Sequence, residues 1–252
     1  MGDIMTVKYE KSLGLTNLKT HYCPGCTHGI LHKIVAEVLV ELGVLENTVG
    51  VASVGCSVYS YEYFNCDMQQ APHGRACATA TGIKRVLPDN IVFTYQGDGD
   101  LASIGIAETI HAANRGENIT VIFVNNATYG MTGGQMAPTS LVGQKTTTSQ
   151  LGRDPHNQGY PIRVSEMFAH IEGVAYLERV ALTSPQNVKK VKAAVKKAFT
   201  LQQEKKGFTM IEVLSTCPVN WGMAPIDAMK WVESNMVPVF PLGIYKDVTK
   251  HD

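Results

Sequence analysis

The chain lacks a charge imbalance: over 252 residues, Lys+Arg and Asp+Glu both number 22. A neutral chain has no electrostatic footprint for nucleic acid, and no basic patch interleaved with aromatics is present. It also lacks any apolar run near the roughly 18 residues that a membrane span needs. Residues 1–20 are polar and contain no signal-type apolar core, so a cytoplasmic location is expected. Internal repeats and low-complexity tracts are missing as well. Cysteines number only six, and in a reducing compartment they are expected to stay reduced or bind metal rather than pair as disulfides. What remains is a chain long enough to bury one sizeable core.

The stretch from Gly97 to Met131 organises that core. It runs Gly97-Asp98-Gly99-Asp100, a helical pattern starting near Leu101, an apolar strand, then Asn125-Asn126-Ala127-Thr128-Tyr129-Gly130-Met131. The flanking strands, 91–95 and 119–124, carry no polar alternation and read as buried on both faces. Continuous apolar strands joined by a helix predict a parallel β-α-β unit. Asp98 and Asn126 then meet at the carboxyl edge of the sheet, where open α/β sheets bind ligands. A carboxylate, an amide oxygen and a backbone carbonyl suit Mg²⁺, which takes phosphate oxygens for its remaining positions. Gly97 and Gly99 leave room for a diphosphate, and the following helix turns its N-terminal amides toward it. The pairing of Gly-Asp-Gly with Asn-Asn at this spacing resembles the thiamine-diphosphate fingerprint.

The rest of the chain supplies layers around this unit. Residues 1–20 read as an irregular arm suited to a subunit contact. A core-facing helix is expected over 27–42, with the stripe Ile30, Ile34, Val38 and Leu42. Residues 49–54 predict a buried strand, and a helix rich in small residues is expected from 74 to 88. Residues 130–160 form a long Gly/Thr/Ser/Gln-rich loop, of a length that is usually functional, expected to cover a cofactor and touch a partner. A strand over 174–180 precedes a helix started by Ser184-Pro185. The last buried strand is 208–214. From Val219 a tail with both tryptophans is expected to lie across a neighbour.

Cys23 and Cys26 form a C-x-x-C, while Cys56 and Cys217 each follow a separate buried strand. If those strands share a sheet, all four thiolates converge beside Asp98 and Asn126. On the residues alone either Zn²⁺ or a [4Fe–4S] cluster fits. Cys66 and Cys77 read as buried fillers.

Together these residues resemble the β subunit of the 2-oxoacid:ferredoxin oxidoreductases, of the 2-oxoisovalerate or 2-oxoglutarate type. The likeness runs through Cys23-Pro-Gly-Cys26, Val54-Gly-Cys56-Ser57, His73-Gly-Arg75, Gly97-Asp-Gly-Asp100, Asn126, Tyr129-Gly-Met-Thr-Gly-Gly-Gln135 and Cys217-Pro218. It implies a doubly wound, mostly parallel α/β sheet: one thiamine-diphosphate-binding domain over 1–252, with an N-terminal arm (1–20) and a C-terminal extension (219–252). It also implies that Cys23, Cys26, Cys56 and Cys217 hold a [4Fe–4S] cluster, in preference to zinc. Asp98 and Asn126 would ligate Mg²⁺ by side chain, and Thr128 by its carbonyl. Val54, Gly55, Cys56, Ser57, His73, Gly99, Asp100, Gly130 and Met131 would contact the diphosphate or the thiamine, with Met131 beneath its rings.

The implied activity is oxidative decarboxylation of a 2-oxoacid to acyl-coenzyme A and CO₂, with electrons passed to ferredoxin. The alternative is a non-redox thiamine decarboxylase or carboligase subunit with structural zinc. The glutamate that activates thiamine is expected on a partner α subunit, because only the diphosphate-binding half of the fold is present. The chain also lacks the cysteine-rich run of a two-cluster ferredoxin domain, so a small ferredoxin-like subunit or ferredoxin must carry electrons away. Some family members place a basic residue three positions after the third cluster cysteine, to meet the substrate carboxylate. Here that position is Tyr59, in an aromatic run with Tyr61, Tyr63 and Phe64, which suits an apolar 2-oxoacid side chain, although a tyrosine hydroxyl can also hydrogen-bond a carboxylate. Branched-chain acids and 2-oxoglutarate are both expected ahead of pyruvate.

Overall fold

The computed structural model describes residues 10–250; the start of the N-terminal arm and residues 251–252 lie outside the described residues. Seven strands form one sheet in the order β2-β1-β3-β4-β6-β5-β7. They are β1 (Thr48–Ala52), β2 (Asp67–Gln70), β3 (Ile91–Gly97), β4 (Thr120–Asn125), β5 (Val174–Ala181), β6 (Phe208–Leu214) and β7 (Gly243–Asp247). All pairings are parallel except β5 with β7. The five expected strands are present within a few residues of their expected ends. Strands β1, β3, β4 and β6 are buried nearly throughout, as their unbroken apolar runs require.

Helices cover both faces. The main ones are α1 (His28–Glu41), α3 (Ala76–Val86), α4 (Ile106–Asn114), α6 (Val164–Ala169) and α7 (Pro185–Gln203), with short α2 (Ser60–Tyr63) and α5 (Pro155–Gln158) between them. Leu31, Val35 and Leu39 of α1 and Val191, Val195 and Phe199 of α7 pack with Phe93, Tyr95 and Ile211 on one face. Ala76 and Ala80 of α3, Ala112 of α4 and Phe168 of α6 pack with Val92, Phe123 and Met210 on the other. Ser184 caps α7, its Oγ accepting from the Asn187 amide at 3.2 Å. Two lysines of α7 tie it to α1: Lys192 reaches Glu37 at 2.8 Å and Glu41 at 2.6 Å, and Lys196 reaches Glu41 at 3.2 Å.

Three segments show packing on their own chain that the sequence reading did not specify. The described part of the N-terminal arm lies on its own chain, where the Thr16 amide donates to the Tyr63 carbonyl at 3.0 Å and Leu15 packs on the core. The tail after Val219 likewise folds back. It forms α8 (Pro218–Trp221), α9 (Pro225–Trp231) and the edge strand β7, and buries Val232, Met236 and Phe240 against Ala127, Leu141 and Leu214. Apolar residues in a proline-punctuated tail therefore serve this core. The aromatic run also divides, since Tyr63 and Phe64 are buried while Tyr59 and Tyr61 stay partly exposed.

Residues 126–154 carry no helix or named strand, yet they are ordered by hydrogen bonds. The buried Arg153 guanidinium donates to six carbonyls: Ala137 (3.4 Å), Pro138 (2.9 Å), Ser140 (2.6 Å), Gln158 (3.1 Å), Gly159 (2.8 Å) and Tyr160 (2.8 Å). A second buried arginine, Arg179 on β5, fixes the neighbouring region. It donates to Glu212 on β6 at 2.8 Å and to both carboxylate oxygens of Glu166 on α6, at 3.0 and 2.6 Å. Glu212 in turn accepts from Asn125 at 2.8 Å and Ser165 at 2.5 Å, so this network reaches the end of β4.

Candidate active site

The carboxyl ends of four adjacent strands set out the site. Cys56 follows β1, Asp98 follows β3, Asn126 follows β4 and Cys217 follows β6. The registers Ala52↔Tyr95, Gly97↔Val124 and Asn125↔Leu214 bring those ends level. Asp98 is 2% exposed. Its Oδ1 accepts from the Gly99 amide at 2.8 Å, and its Oδ2 from Thr139 Oγ1 at 2.7 Å and the Thr128 amide at 3.2 Å. Burial nevertheless pushes its carboxyl up to about 7, the behaviour of a carboxylate that lacks a countercharge.

The Asn126 side-chain oxygen stands 3.2 Å from Asp98 Oδ2 and 2.8 Å from the Thr128 carbonyl oxygen. Turning the amide over would let its nitrogen donate to both. With its oxygen inward, three acceptors converge without a proton between them, which is the donor set of a hard divalent cation. Ala127, between the two contributors, has φ +53°, a left-handed conformation uncommon for a residue with a Cβ. Its carbonyl accepts from Ser140 Oγ at 2.6 Å and Gln144 Nε2 at 3.0 Å. The ordered loop thereby holds the turn that aims Asn126 and the Thr128 carbonyl at one point.

The adjoining cavity is lined by Val54, Gly55, Cys56, Ser57, His73, Asp98, Gly99, Asp100, Asn126, Thr128, Gly130 and Met131, with Tyr129, Thr132 and His28. All the residues assigned from sequence to the diphosphate, thiamine or magnesium are thus brought together. Asp100 lines this cavity with both carboxylate oxygens already engaged by protein donors. Its Oδ1 accepts from His73 Nδ1 at 2.6 Å and the Gly74 amide at 2.7 Å, and its Oδ2 from Gln96 Nε2 at 2.7 Å. Because the carboxylate accepts, His73 donates through Nδ1 and leaves Nε2 for the cavity. Gly97 has open space where a Cβ would project, whereas a Cβ on Gly99 would stand 2.1 Å from the Tyr129 ring. Gly97 leaves room for a ligand; Gly99 leaves room for Tyr129. Arg75 turns aside to pair with Glu108 at 2.8 Å.

A second cavity, of about 200 Å³, shares His28, Cys56, Asn126, Gly130 and Met131 with the first. Cys23, Cys26, Cys56 and Cys217 all line it. Between two of these thiols sits Gly130, where a Cβ would be 3.1 Å from Cys56 Sγ and 3.5 Å from Cys217 Sγ. Burial pushes the Cys26 and Cys56 thiols up to about 12, and Cys217 and Cys23 add to the rise of both. Among the described residues no three His, Cys, Asp or Glu side chains close on a single metal ion. Four thiols lining one cavity suit either a zinc ion or an iron–sulfur cluster. Cys66 and Cys77 lie elsewhere, with Cys66 beside Met68 (3.8 Å) and Cys77 donating to Gln96 (3.2 Å).

His28 stands at the junction of the two cavities. It hydrogen-bonds Tyr95 at 2.9 Å and stacks on Tyr22 at 4.6 Å, and burial takes its pKa down to about 3, so it is neutral. Tyr59 lines neither cavity; its ring meets His21 edge-on at 5.1 Å. Sequence reasoning missed Thr139, Gln96 and Asn220, which act through the residues that it found.

The family model described as thiamine pyrophosphate enzyme, C-terminal TPP binding domain, matches residues 49–213. The chain is 47% identical over 239 residues to ketoisovalerate oxidoreductase subunit VorA of Methanothermobacter thermautotrophicus, covering 95% of this chain and 50% of that one. It therefore spans about half the length of that relative. It is 36% identical over 223 residues to 2-oxoglutarate synthase subunit KorB of Methanocaldococcus jannaschii, covering 86% of this chain and 78% of that one. Its fold is similar to a solved 2-oxoglutarate:ferredoxin oxidoreductase from Magnetococcus marinus with 2-oxoglutarate, coenzyme A and succinyl-CoA bound. The TM-score is 0.75 at 24% identity, over 94% of this chain and 84% of that one.

Proposed function

Because this chain belongs to the β-type subunits of the 2-oxoacid:ferredoxin oxidoreductases, within the thiamine pyrophosphate enzymes, we propose that it serves in oxidative decarboxylation of a 2-oxoacid to acyl-coenzyme A and CO₂, with electrons passed to ferredoxin. In this reading Asp98, Asn126 and the Thr128 carbonyl hold Mg²⁺, and His73 Nε2 with the Gly99 and Gly130 backbone receives the diphosphate. Met131 lies beneath the thiamine rings, and Cys23, Cys26, Cys56 and Cys217 hold a [4Fe–4S] cluster. The observation that carries the proposal is the shared wall: an oxygen cage and four thiols open onto adjoining cavities separated by Gly130, Met131 and Cys56. Thiamine would supply the electron sink for decarboxylation, and a cluster would take the released electrons one at a time. The chain's own part is to orient both groups and keep them adjacent. Nothing in the comparisons supports the non-redox decarboxylase with structural zinc.

A branched-chain 2-oxoacid is the substrate we favour. The ketoisovalerate relative is more similar than the 2-oxoglutarate relative. The activating glutamate is assigned to a partner α subunit, and electron export to a small ferredoxin-like subunit or ferredoxin. A cytoplasmic location belongs to the same proposal; among the described residues no helix is long and apolar enough to cross a membrane. The test is steady-state kinetics of the complex purified without oxygen, with coenzyme A and ferredoxin, across 2-oxoisovalerate, 2-oxoglutarate and pyruvate. The highest kcat/KM is expected for 2-oxoisovalerate. CO₂ release without acceptor reduction or acyl-coenzyme A would overturn the redox reading.

A further inference from the structure

One side chain binds both cavities together and touches a sulfur. Asn220, in α8, donates from Nδ2 to the Gly130 carbonyl at 2.8 Å and to Cys217 Sγ at 3.2 Å. The orientation of this amide is not free: the atom facing the Gly130 carbonyl must be a donor, so the nitrogen, with its second proton, also faces the sulfur. Asn220 is held close to the thiol because Pro218–Trp221 forms one helical turn directly after Cys217, with the Trp221 amide donating to the Cys217 carbonyl at 3.0 Å. The residue is also closely seated. Gly134, at φ +82°, carries no Cβ, and one placed there would stand 3.0 Å from Asn220 Cβ.

We propose that Asn220 is a positioning residue that raises the reduction potential of the cluster, by donating its side-chain N–H to the Cys217 sulfur while clamping the Gly130 carbonyl. The proposal rests on the iron–sulfur reading given above. The physical basis is simple: each added electron increases negative charge on the cysteine sulfurs, and a donor aimed at a sulfur stabilises the reduced state more than the oxidised one. Hydrogen bonds to the sulfurs are among the determinants of cluster potential. Gly130 lies against both Cys56 and Cys217, so the same amide sets the spacing between the thiamine side and the cluster side.

The experiment is a redox titration, followed by electron paramagnetic resonance, of the complex purified without oxygen, as wild type and as Asn220→Leu. Iron and sulfide are counted first. A wild-type complex without iron sinks the cluster reading itself and is distinguishable from failure of the present proposal. With the cluster present in both, the leucine variant is expected to titrate at a lower potential. An exchangeable-deuteron coupling seen in wild-type spectra is expected to be lost. An unchanged potential would overturn the proposal, whatever happens to turnover. If Asn220→Leu holds no cluster, Asn220→Ala, which also removes the donor but leaves less bulk beside Gly134, is titrated under the same criterion.

Discussion

At the scale of single residues, the site depends on what is missing as much as on what is present. Gly99 is needed because the Tyr129 ring occupies the space a Cβ would take, at 2.1 Å. Gly99→Ala is expected to displace Tyr129 and the following Gly130-Met131. Calorimetry with Mg²⁺ and thiamine diphosphate should then read at least about a tenfold loss of affinity, near 1.4 kcal/mol; unchanged affinity would refute the packing argument. His32 makes a separate prediction. It is stacked on Phe64 at 4.5 Å, and burial holds its pKa well below the ordinary histidine range. The unfolded chain takes up that proton near pH 6.5 while the folded chain refuses it. Its contribution to stability is therefore complete above about pH 6.5 and lost as the pH falls, at up to about 1.4 kcal/mol per pH unit. In urea denaturation between pH 7 and 5, His32→Phe should lose stability less steeply than wild type, by about one proton. Parallel slopes would count against it. Asp98, Asn126 and the four cysteines were legible because each stands just after a buried strand or in a close C-x-x-C. Thr139 and Asn220 were not, since their partners are set by a loop without periodicity and by a single helical turn.

At the scale of elements, two buried arginines organise what the strands leave open. Arg153→Leu removes the donor to the Ser140, Gln158, Gly159 and Tyr160 carbonyls, while the Ala137 and Pro138 carbonyls keep the Ser140 and Ile162 amides. It is expected to destabilise the fold by on the order of 3 kcal/mol. Limited proteolysis should then cut within residues 137–160. Because Thr139 reaches Asp98 from this loop at 2.7 Å, Mg²⁺ affinity should fall as well; a variant as protease-resistant as wild type would contradict the arginine's role. Arg179→Met leaves Glu212 buried without its cation, at a cost of about 3–5 kcal/mol in urea denaturation. Replacing Glu212 by Leu as well should recover most of that loss, whereas an additive double mutant would show that the pair is not coupled. The central strands and long helices followed their sequence patterns closely. Strand β2 escaped because Asp67–Gln70 is an exposed polar edge, and β7 because it is a half-buried edge with no apolar run. The tail helices did carry a signal: α8 and α9 each begin with proline at the first position, where it starts helices well. Tryptophans and prolines in a tail suggested a neighbour; the structure adds that Val232, Met236 and Phe240 close a core of their own chain.

At the scale of the molecule, the sheet order explains why one edge can hold two kinds of chemistry. Neighbouring parallel strands β1, β3, β4 and β6 present Cys56, Asp98, Asn126 and Cys217 in sequence across it, and the C-x-x-C ahead of α1 closes the far side. That juxtaposition was legible from buried strands and motif spacing. The partner subunits proposed above were not, because partner surfaces leave no periodic mark in a single chain. The central claim is that the two cavities act as one redox unit. It is tested most directly by adding 2-oxoisovalerate and coenzyme A, with no external acceptor, to the complex purified without oxygen, while visible absorbance is followed. The account predicts a brown protein that bleaches within a turnover, and no bleaching in Asp98→Asn, which retains its colour. A protein that releases CO₂ while its absorbance stays unchanged would contradict it.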